Sequence, residues 1–381
     1  MYPTDKQKEA LQRYITEGGG FSIYGKDGIY EELENRISER YSQSPYCLLT
    51  NTGTSALSSV YFGVGIKRGD EVIVPSYTFI STVTPIVRLG AIPVFADADP
   101  TTGLIDPDSI RECITDKTTA VVVTHMWGLP CKMEEIKKIC DEEGLKLVED
   151  ISHSQFTPYC GRFLGEFGDA AASSVGARKM VSGGEGGFMI TNDKDVYMKA
   201  TLLGHFNMRA EQTMEELGLD FTGYEGGYGE NYRMHPYSAV MINEFIKNEM
   251  DVFNKERLKV LMFIENELDT IEGIQSQEVY SGLQYGFKPK YLGKYLDIFL
   301  RHVNVEMGDK AVKKLDTVPI HNKKLFQGIG RFRNYSRQVA SYNGAEEYMR
   351  GRFSIRNDII LKMMEDDTLA AKLISAIKHS I

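Results

Sequence analysis

The sequence predicts an α/β protein: a large, mostly parallel sheet domain followed by a smaller C-terminal α+β domain. Three observations carry this reading. From about residue 47, short apolar runs rich in Val and Ile alternate with longer amphipathic runs. The short runs are bounded by Gly, Pro or Asp, as strands of a parallel sheet buried on both faces are. From about residue 240 the alternation stops and long helical stretches take over. Repeated strand–helix units imply a sheet covered by helices on both sides.

The elements follow in order. "CLLTN" (47–51) precedes a helix-like "GTSALSSVYFGVG", and "DEVIVP" (70–75) precedes "SYTFISTVTPIVRLG". "AIPVFAD" (91–97) runs into a turn-rich "ADPTTGLIDPDSIREC". "TAVVVTHMWG" (119–128) precedes "CKMEEIKKICDEEG", and "LKLVED" (145–150) follows directly. "GDAAASSVG" (168–176) and "GGFMITN" (186–192) read as two more strands, the latter feeding a helix near 193–203. "PYSAVMINEFIKNEMDVFNKERLKVLMFIENELD" reads as one long helical stretch, with apolar residues at mixed three- and four-residue spacing. Sparse strands, a turn-rich 318–336 segment and a last helix, "DTLAAKLISAIKH", complete the chain. The boundary falls near 240–265, giving domains of 1–250, with an N-terminal arm of about 1–20, and 251–381.

Composition narrows the function. The net charge of −9 argues against nucleic-acid binding, which needs a basic face. Five cysteines, none spaced as CxxC, argue against a zinc site or a disulfide framework, and no metal is expected. The polar N-terminus and the lack of any membrane-length apolar run lead us to expect a soluble cytoplasmic protein without a membrane partner.

In open α/β sheets, ligands bind at the carboxyl ends of the strands. Gly53-Thr54 follows "CLL" and opens a helix, whose free N–H groups and positive dipole end suit a phosphate; a plain N-cap is the other reading. Asp150 ends "LKLVED" and either caps a turn or faces a cationic heterocycle, since a buried carboxylate needs a positive partner. Lys179 precedes Gly184-Glu185-Gly186-Gly187 and an apolar run, and alone would be read as a solvated lysine before a turn. Together the three suit pyridoxal 5'-phosphate: a lysine for a Schiff base, a carboxylate to keep the ring nitrogen protonated, a helix N-terminus for the phosphate. Their order, with about a hundred and then about thirty residues between them, suits one sheet.

The chain resembles the DegT/DnrJ/EryC1/StrS sugar and cyclitol aminotransferases, a branch of the aspartate-aminotransferase-like (type I) fold. The matching segments are "NTGTSAL", "PSYTFIST", "GAIPVFADADPTTGLIDP", "HMWGLP", "VEDISHSQ", "GRFLGEFGD", "KMVSGGEGG" and "ENYRMHP", in order, over roughly residues 15–250. The resemblance implies a transaminase that moves an amino group from glutamate or glutamine to a keto group of a sugar or cyclitol. Lys179 would carry the cofactor and shuttle protons, Asp150 would pair with the pyridine nitrogen, and His153 would touch the ring hydroxyl. Gly53, Thr54 and Ser174 would hold the phosphate. Phe79, ahead of Tyr77, would lie against the ring. Asn231 would reach the phosphate of the neighbouring subunit, which implies a homodimer with shared sites.

Departures bear on the substrate. The family's aromatic pair around its strand serine is replaced here by Ser173-Ser174-Val175, with Gly176, Ala177 and Arg178 before the lysine. One subgroup carries histidine in place of the lysine and dehydrates sugars; Lys179 argues for amino transfer. "HMWGLP", "EDISH" and "RMHP" look most like the branch acting on inososes or aminohydroxybenzoate precursors. Two other readings stay open: a pyridoxal-phosphate-dependent dehydratase, and a regulator that binds cofactor or sugar without turnover. Glu185 reads as a turn residue. His125 and Trp127 read equally as pocket wall or core. Arg331, Arg333 and Arg337 read as a solvated basic face before a carboxylate or phosphate site.

Overall fold

A computed structural model of the chain describes residues 3–205, 208–326, 337–338 and 342–381. Nine strands come from the first half: β1 (Tyr46–Thr50), β2 (Glu71–Pro75), β3 (Ile92–Ala96), β4 (Thr118–Thr124), β5 (Lys146–Asp150), the short hairpin β6 (Pro158–Tyr159) and β7 (Arg162–Phe163), β8 (Ala170–Ser174) and β9 (Gly187–Thr191). The second half adds β10 (Ile274–Gln275), β11 (Lys290–Tyr291), β12 (Val312–Lys314), β13 (Arg337–Gln338) and β14 (Phe353–Ile355). One eight-stranded sheet runs in the order β1-β9-β8-β5-β4-β2-β3-β13. Strand β9 is antiparallel to both neighbours, and the other neighbouring pairs are parallel. The α/β class is therefore as the sequence predicts.

The strands form where the apolar runs lie because both faces are covered. Alternate residues of β5 join different cores: Leu147 faces one layer and Val148 the other. The first layer is closed by residues 30–41 and 133–140, and the second by helix Gly53–Gly63 and helix Lys194–Gly204. A separate apolar core joins Leu261, Phe287, Phe299, Phe353 and Leu373 in the C-terminal part. The chain nevertheless returns to the large sheet there. Strand β13 pairs with β3, Ile320 and Phe326 enter the second layer, and Tyr348 enters the first.

Two local readings change. The long stretch after Pro236 is two helices, Pro236–Asn248 and Met250–Asp269, broken at Glu249 (φ −130°, ψ −33°). The apolar spacing is mixed there because the two helices bury different faces, one into the sheet layer and one into the C-terminal core. The helix expected from "SYTFISTVTPIVRLG" begins only at Ile80; before it, Ser76 N donates to the Ala96 carbonyl and the Thr78 hydroxyl bonds that of Thr124. The N-terminal helix Asp5–Thr16 starts with a Thr4–Gln7 capping box. It docks through Gln7, whose amide donates to the carbonyls of Ser182 and Met241. No helix among the described residues is long and apolar enough to cross a membrane.

Candidate active site

The carboxyl ends of β1, β4, β5 and β8 open into one cavity of about 480 Å³. Thr52, Gly53 and Thr54 form one wall, Asp150 and His153 another, and Ser174 and Lys179 a third. Helix Gly53–Gly63 is capped by the Thr52 hydroxyl, which accepts from Ser55 N at 3.0 Å. The N–H groups of Gly53 and Thr54 begin the helix, where no intrahelical acceptor exists. A Cβ on Gly53 would stand 2.5 Å from that of Ser174, and one on Gly187 would stand 2.5 Å from the Thr52 carbonyl. Glycine at both points lets β9 and β8 close on the helix start. The run of glycines after Lys179 thus shapes the cradle. Gly184 (φ 88°) and Gly186 (φ 146°) also make the turn that Glu185 occupies. Glu185 is exposed yet lines the cavity.

Asp150 is 4% exposed. Its Oδ2 accepts from Thr82 Oγ at 2.8 Å and its Oδ1 from Ser152 N at 3.1 Å. Thr82 is held in turn by Thr78, and Thr78 by Thr124, at 3.1 and 2.9 Å. Both donors to the carboxylate are neutral, and among the described residues no side-chain cation pairs with it. A buried carboxylate that faces a cavity with no ion pair at contact distance, the Lys179 amine acting on it only through space, fits a cationic ring nitrogen.

Lys179 sits in the loop after β8, fixed by its N–H to the Gly176 carbonyl at 2.8 Å. Its side chain is partly buried, with Nζ 4.6 Å from the centre of the Tyr285 ring. Burial lowers its amine to about 8, against the opposing pull of Asp150. His153 is stacked on Tyr285 with ring centres 4.1 Å apart, and Trp127 stacks on both rings. His153 Nδ1 accepts from Trp127 N at 3.2 Å, so the neutral ring carries its proton on Nε2. Burial, then Lys179 and Lys288, hold this imidazole well below the usual range, so it stays neutral.

Of the residues singled out from sequence, Lys179, Asp150, His153, Gly53, Thr54, Phe79 and Ser174 line this one cavity. Phe79 is 61% exposed, whereas Tyr77 is buried and bonded to Trp127 Nε1. Asn231 does not line the cavity of its own chain. It is exposed, and its carbonyl accepts from Asn51 Nδ2 at 3.2 Å. His125 belongs to the core: Nδ1 accepts from Cys131 N and Nε2 donates to Glu149 at 3.1 Å. Trp127, in a left-handed backbone conformation (φ 61°), is a core residue that backs His153 and Tyr285 without lining the cavity itself. Arg331, Arg333 and the Arg337 side chain lie outside the described residues, as does the 327–336 part of the turn-rich segment.

Sequence reasoning missed Thr82, Ser152, Gln155 and Tyr285. Gln155 donates to Ser173 Oγ and the Ser174 carbonyl and accepts from Val181 N, tying the strand serine to the lysine loop. "VEDISHSQ" contained Ser152 and Gln155, and "PSYTFIST" contained Thr82. Tyr285 had no sequence signal. It is placed by buried Arg257, which donates to the Gly282 and Gln284 carbonyls.

A model of the DegT/DnrJ/EryC1/StrS aminotransferase family matches residues 5–356, well beyond the 15–250 span where the likeness was readable. The chain is 32% identical over 254 residues to the GDP-perosamine synthase of Escherichia coli O157:H7, covering 67% of this chain and 66% of that one. It is 34% identical over 194 residues to the L-glutamine:2-deoxy-scyllo-inosose aminotransferase of Streptomyces kanamyceticus, covering 50% and 45%. The match thus spans less than two thirds of these relatives' own length. An aminotransferase from Psychrobacter cryohalolentis shares the fold with a TM-score of 0.83 at 24% identity, over 99% of this chain and 96% of that one. With a family model matched across nearly the whole length and the site residues gathered at the strand ends, the chain belongs to the DegT/DnrJ/EryC1/StrS aminotransferases, a family that uses pyridoxal phosphate.

Proposed function

We propose that the protein transfers an amino group from glutamate or glutamine to a keto group of a sugar or cyclitol, using pyridoxal 5'-phosphate. One observation carries the reading: Lys179, with its amine brought to about 8, shares a cavity with a buried Asp150 that has no salt bridge among the described residues. Gly53, Thr54 and Ser174 would hold the phosphate, Phe79 would cover the ring, and His153 Nε2–H would meet the ring hydroxyl. When bound, the cofactor supplies an electron sink for the carbon that loses its proton. Asp150, oriented by Thr82 and Ser152, would keep the ring nitrogen protonated. Lys179 would hold the cofactor through its aldehyde and, when the donor amine takes its place there, its free amine would move the proton of the amine-bearing carbon. A homodimer completes the site through Asn231 of the partner subunit.

The test follows the cofactor's visible absorption as amino donors and then keto compounds are added. Loss of the band with glutamate or glutamine, its return with a keto sugar, and an amine product support the reading. Release of ammonia and water without an amine product moves the assignment to a dehydratase. A band that no amino acid alters leaves only a binding protein. The shared site is tested by mixing inactive Lys179→Ala and Asn231→Asp chains. With free exchange, half of the dimers are mixed, each with one intact site, so about a quarter of normal activity returns. Verified heterodimers without activity end the shared-site model.

A further inference from the structure

Two buried cations in the C-terminal part have no acid beside them. Lys288 is 5% exposed; its Nζ donates to Ser354 Oγ at 2.8 Å and lies 4.4 Å from the centre of the Trp127 ring. Arg257 is fully buried and donates to the Gly282 and Gln284 carbonyls and to Asn357 Oδ1. Its Nε has no hydrogen-bond partner among the described residues, and no carboxylate there pairs with either cation.

Lys288 opens on a cleft of about 870 Å³. Of the two acids on the cleft wall, Asp316 is exposed and Asp358 is paired with Arg356. The charges acting on the Lys288 amine come from Lys313 and Arg257, and both are positive. Arg352 adds a further cation at the Lys288 carbonyl, to which it donates at 2.7 Å. The other groups packed on Lys288, Gln277, Ser354 and the His153 ring, are neutral. One hydroxyl and one ring face offset only part of the cost of a buried ammonium. Burial and the two cations accordingly bring this amine to about 7. At about pH 7 roughly half of it is neutral, against well under a thousandth of an ordinary lysine at about 10.4.

We propose that Lys288 is a carbon dioxide site, where the amine forms a carbamate whose negative charge is balanced by Lys313 and Arg257. Carbon dioxide is small and uncharged, so it enters the cleft without the cost of dehydrating an ion. The Nζ lone pair attacks its carbon and a C–N bond forms. One C=O electron pair moves onto oxygen, and one N–H proton leaves to solvent. Nothing is oxidised or reduced, and the remaining N–H can still donate to Ser354 Oγ. The positive surroundings act twice in the same direction: they disfavour the ammonium and favour the carbamate. The step replaces a buried positive charge with a negative one. Lys288 is also one of the two cations that hold the His153 imidazole low, so the carbamate reaches the neighbouring cavity through that ring. The inference does not depend on the amino-transfer reading.

The cofactor-loaded enzyme is equilibrated with isotopically labelled carbon dioxide at fixed pressure and at intervals of pH. A carbamate carbon resonance distinct from bicarbonate is expected. Alkylation of the carbamate oxygen with a trialkyloxonium salt, followed by peptide mass analysis, should place it on Lys288. Occupancy rises with pH, more steeply below about 7, where the ammonium must also lose its proton. Lys288→Arg keeps the charge but offers no neutral amine, so the resonance should vanish. Lys313→Gln, at an exposed position, should lower occupancy several-fold at limiting carbon dioxide; it decides the matter if Lys288→Arg does not fold. The proposal is overturned by the absence of a carbamate at every pH, by label trapped only on Lys179 or other amines, or by a resonance that survives Lys288→Arg. Occupancy unchanged in Lys313→Gln, or bicarbonate that binds without being trapped on a lysine, overturns it as well.

Discussion

Glu149 and Asp150 follow each other on β5, and the pleat sends their side chains to opposite faces of the sheet. Glu149 is fully enclosed. It accepts from the N–H groups of Gly165, Phe167 and Gly168 at 2.7–2.8 Å and from His125 Nε2. Every lone pair it offers is engaged by the protein itself. Asp150 has one hydroxyl and one N–H, and its remaining capacity faces the cavity. Two carboxylates of similar burial are therefore built differently: one as a knot tying "GRFLGEFGD" to β5, the other as a charge awaiting a ligand. Burial alone does not mark a functional acid; an incomplete set of partners does.

The largest expected effect separates them by rate. Asp150→Asn keeps the shape and the Thr82 contact but carries no charge for the ring nitrogen. Donor-dependent turnover should fall by about 10²–10⁴-fold, as when an electrostatic anchor is lost from other active sites. Thermal unfolding of the variant should change little. Turnover near the wild-type value would mean that Asp150 is a second structural knot.

The next effect appears in stability. Glu149→Gln places an amide NH₂ where backbone N–H donors converge, leaving at least one buried donor without an acceptor. The loss should be about 3 kcal/mol, since each unsatisfied buried group costs about 1–3 kcal/mol. Denaturant unfolding measures it, and the rate per folded molecule should stay close to normal. A stable Glu149→Gln with a collapsed rate would reverse the two assignments.

The same contrast explains what was legible beforehand. Lys179, Asp150, Ser174 and Gly53-Thr54 could be read because each sits at a strand end with a residue type that its chemistry demands. Glu149 was visible in "VED", but its partners lie sixteen to nineteen residues on, and their hydrogen bonds exist only once the loop folds back. The antiparallel course of β9 had no signal, because an apolar run carries no direction. Tyr285 and Lys288 come from a part of the chain whose motifs were faint. They reach the site through the packing of Arg257 and Trp127, a tertiary fact with no local pattern.

The smallest effect reads the difference between the two acids from the lysine's side. Burial lowers the Lys179 amine to about 8, and the Asp150 charge pulls it back up; Glu149 takes no part in that balance. Only the neutral amine attacks an aldehyde. Covalent capture of pyridoxal 5'-phosphate by cofactor-free enzyme should therefore speed up as pH rises and level off above about 8, where an ordinary lysine, at about 10.4, would still be climbing. Removing the Asp150 charge takes away the stabilisation of the ammonium, so in Asp150→Asn the midpoint moves to lower pH. In Glu149→Gln it stays where it is. The lysine's own charge is a burden to the fold: its lowered value means stability is gained as pH rises from about 8 towards 10.4. Lys179→Met should then be no less stable than wild type at pH 7 while capturing nothing. Borohydride trapping at intervals of pH, with the labelled peptide identified by mass, gives each midpoint. A midpoint that Asp150→Asn leaves unmoved, or that Glu149→Gln displaces as far, would show that the cavity does not distinguish the two carboxylates.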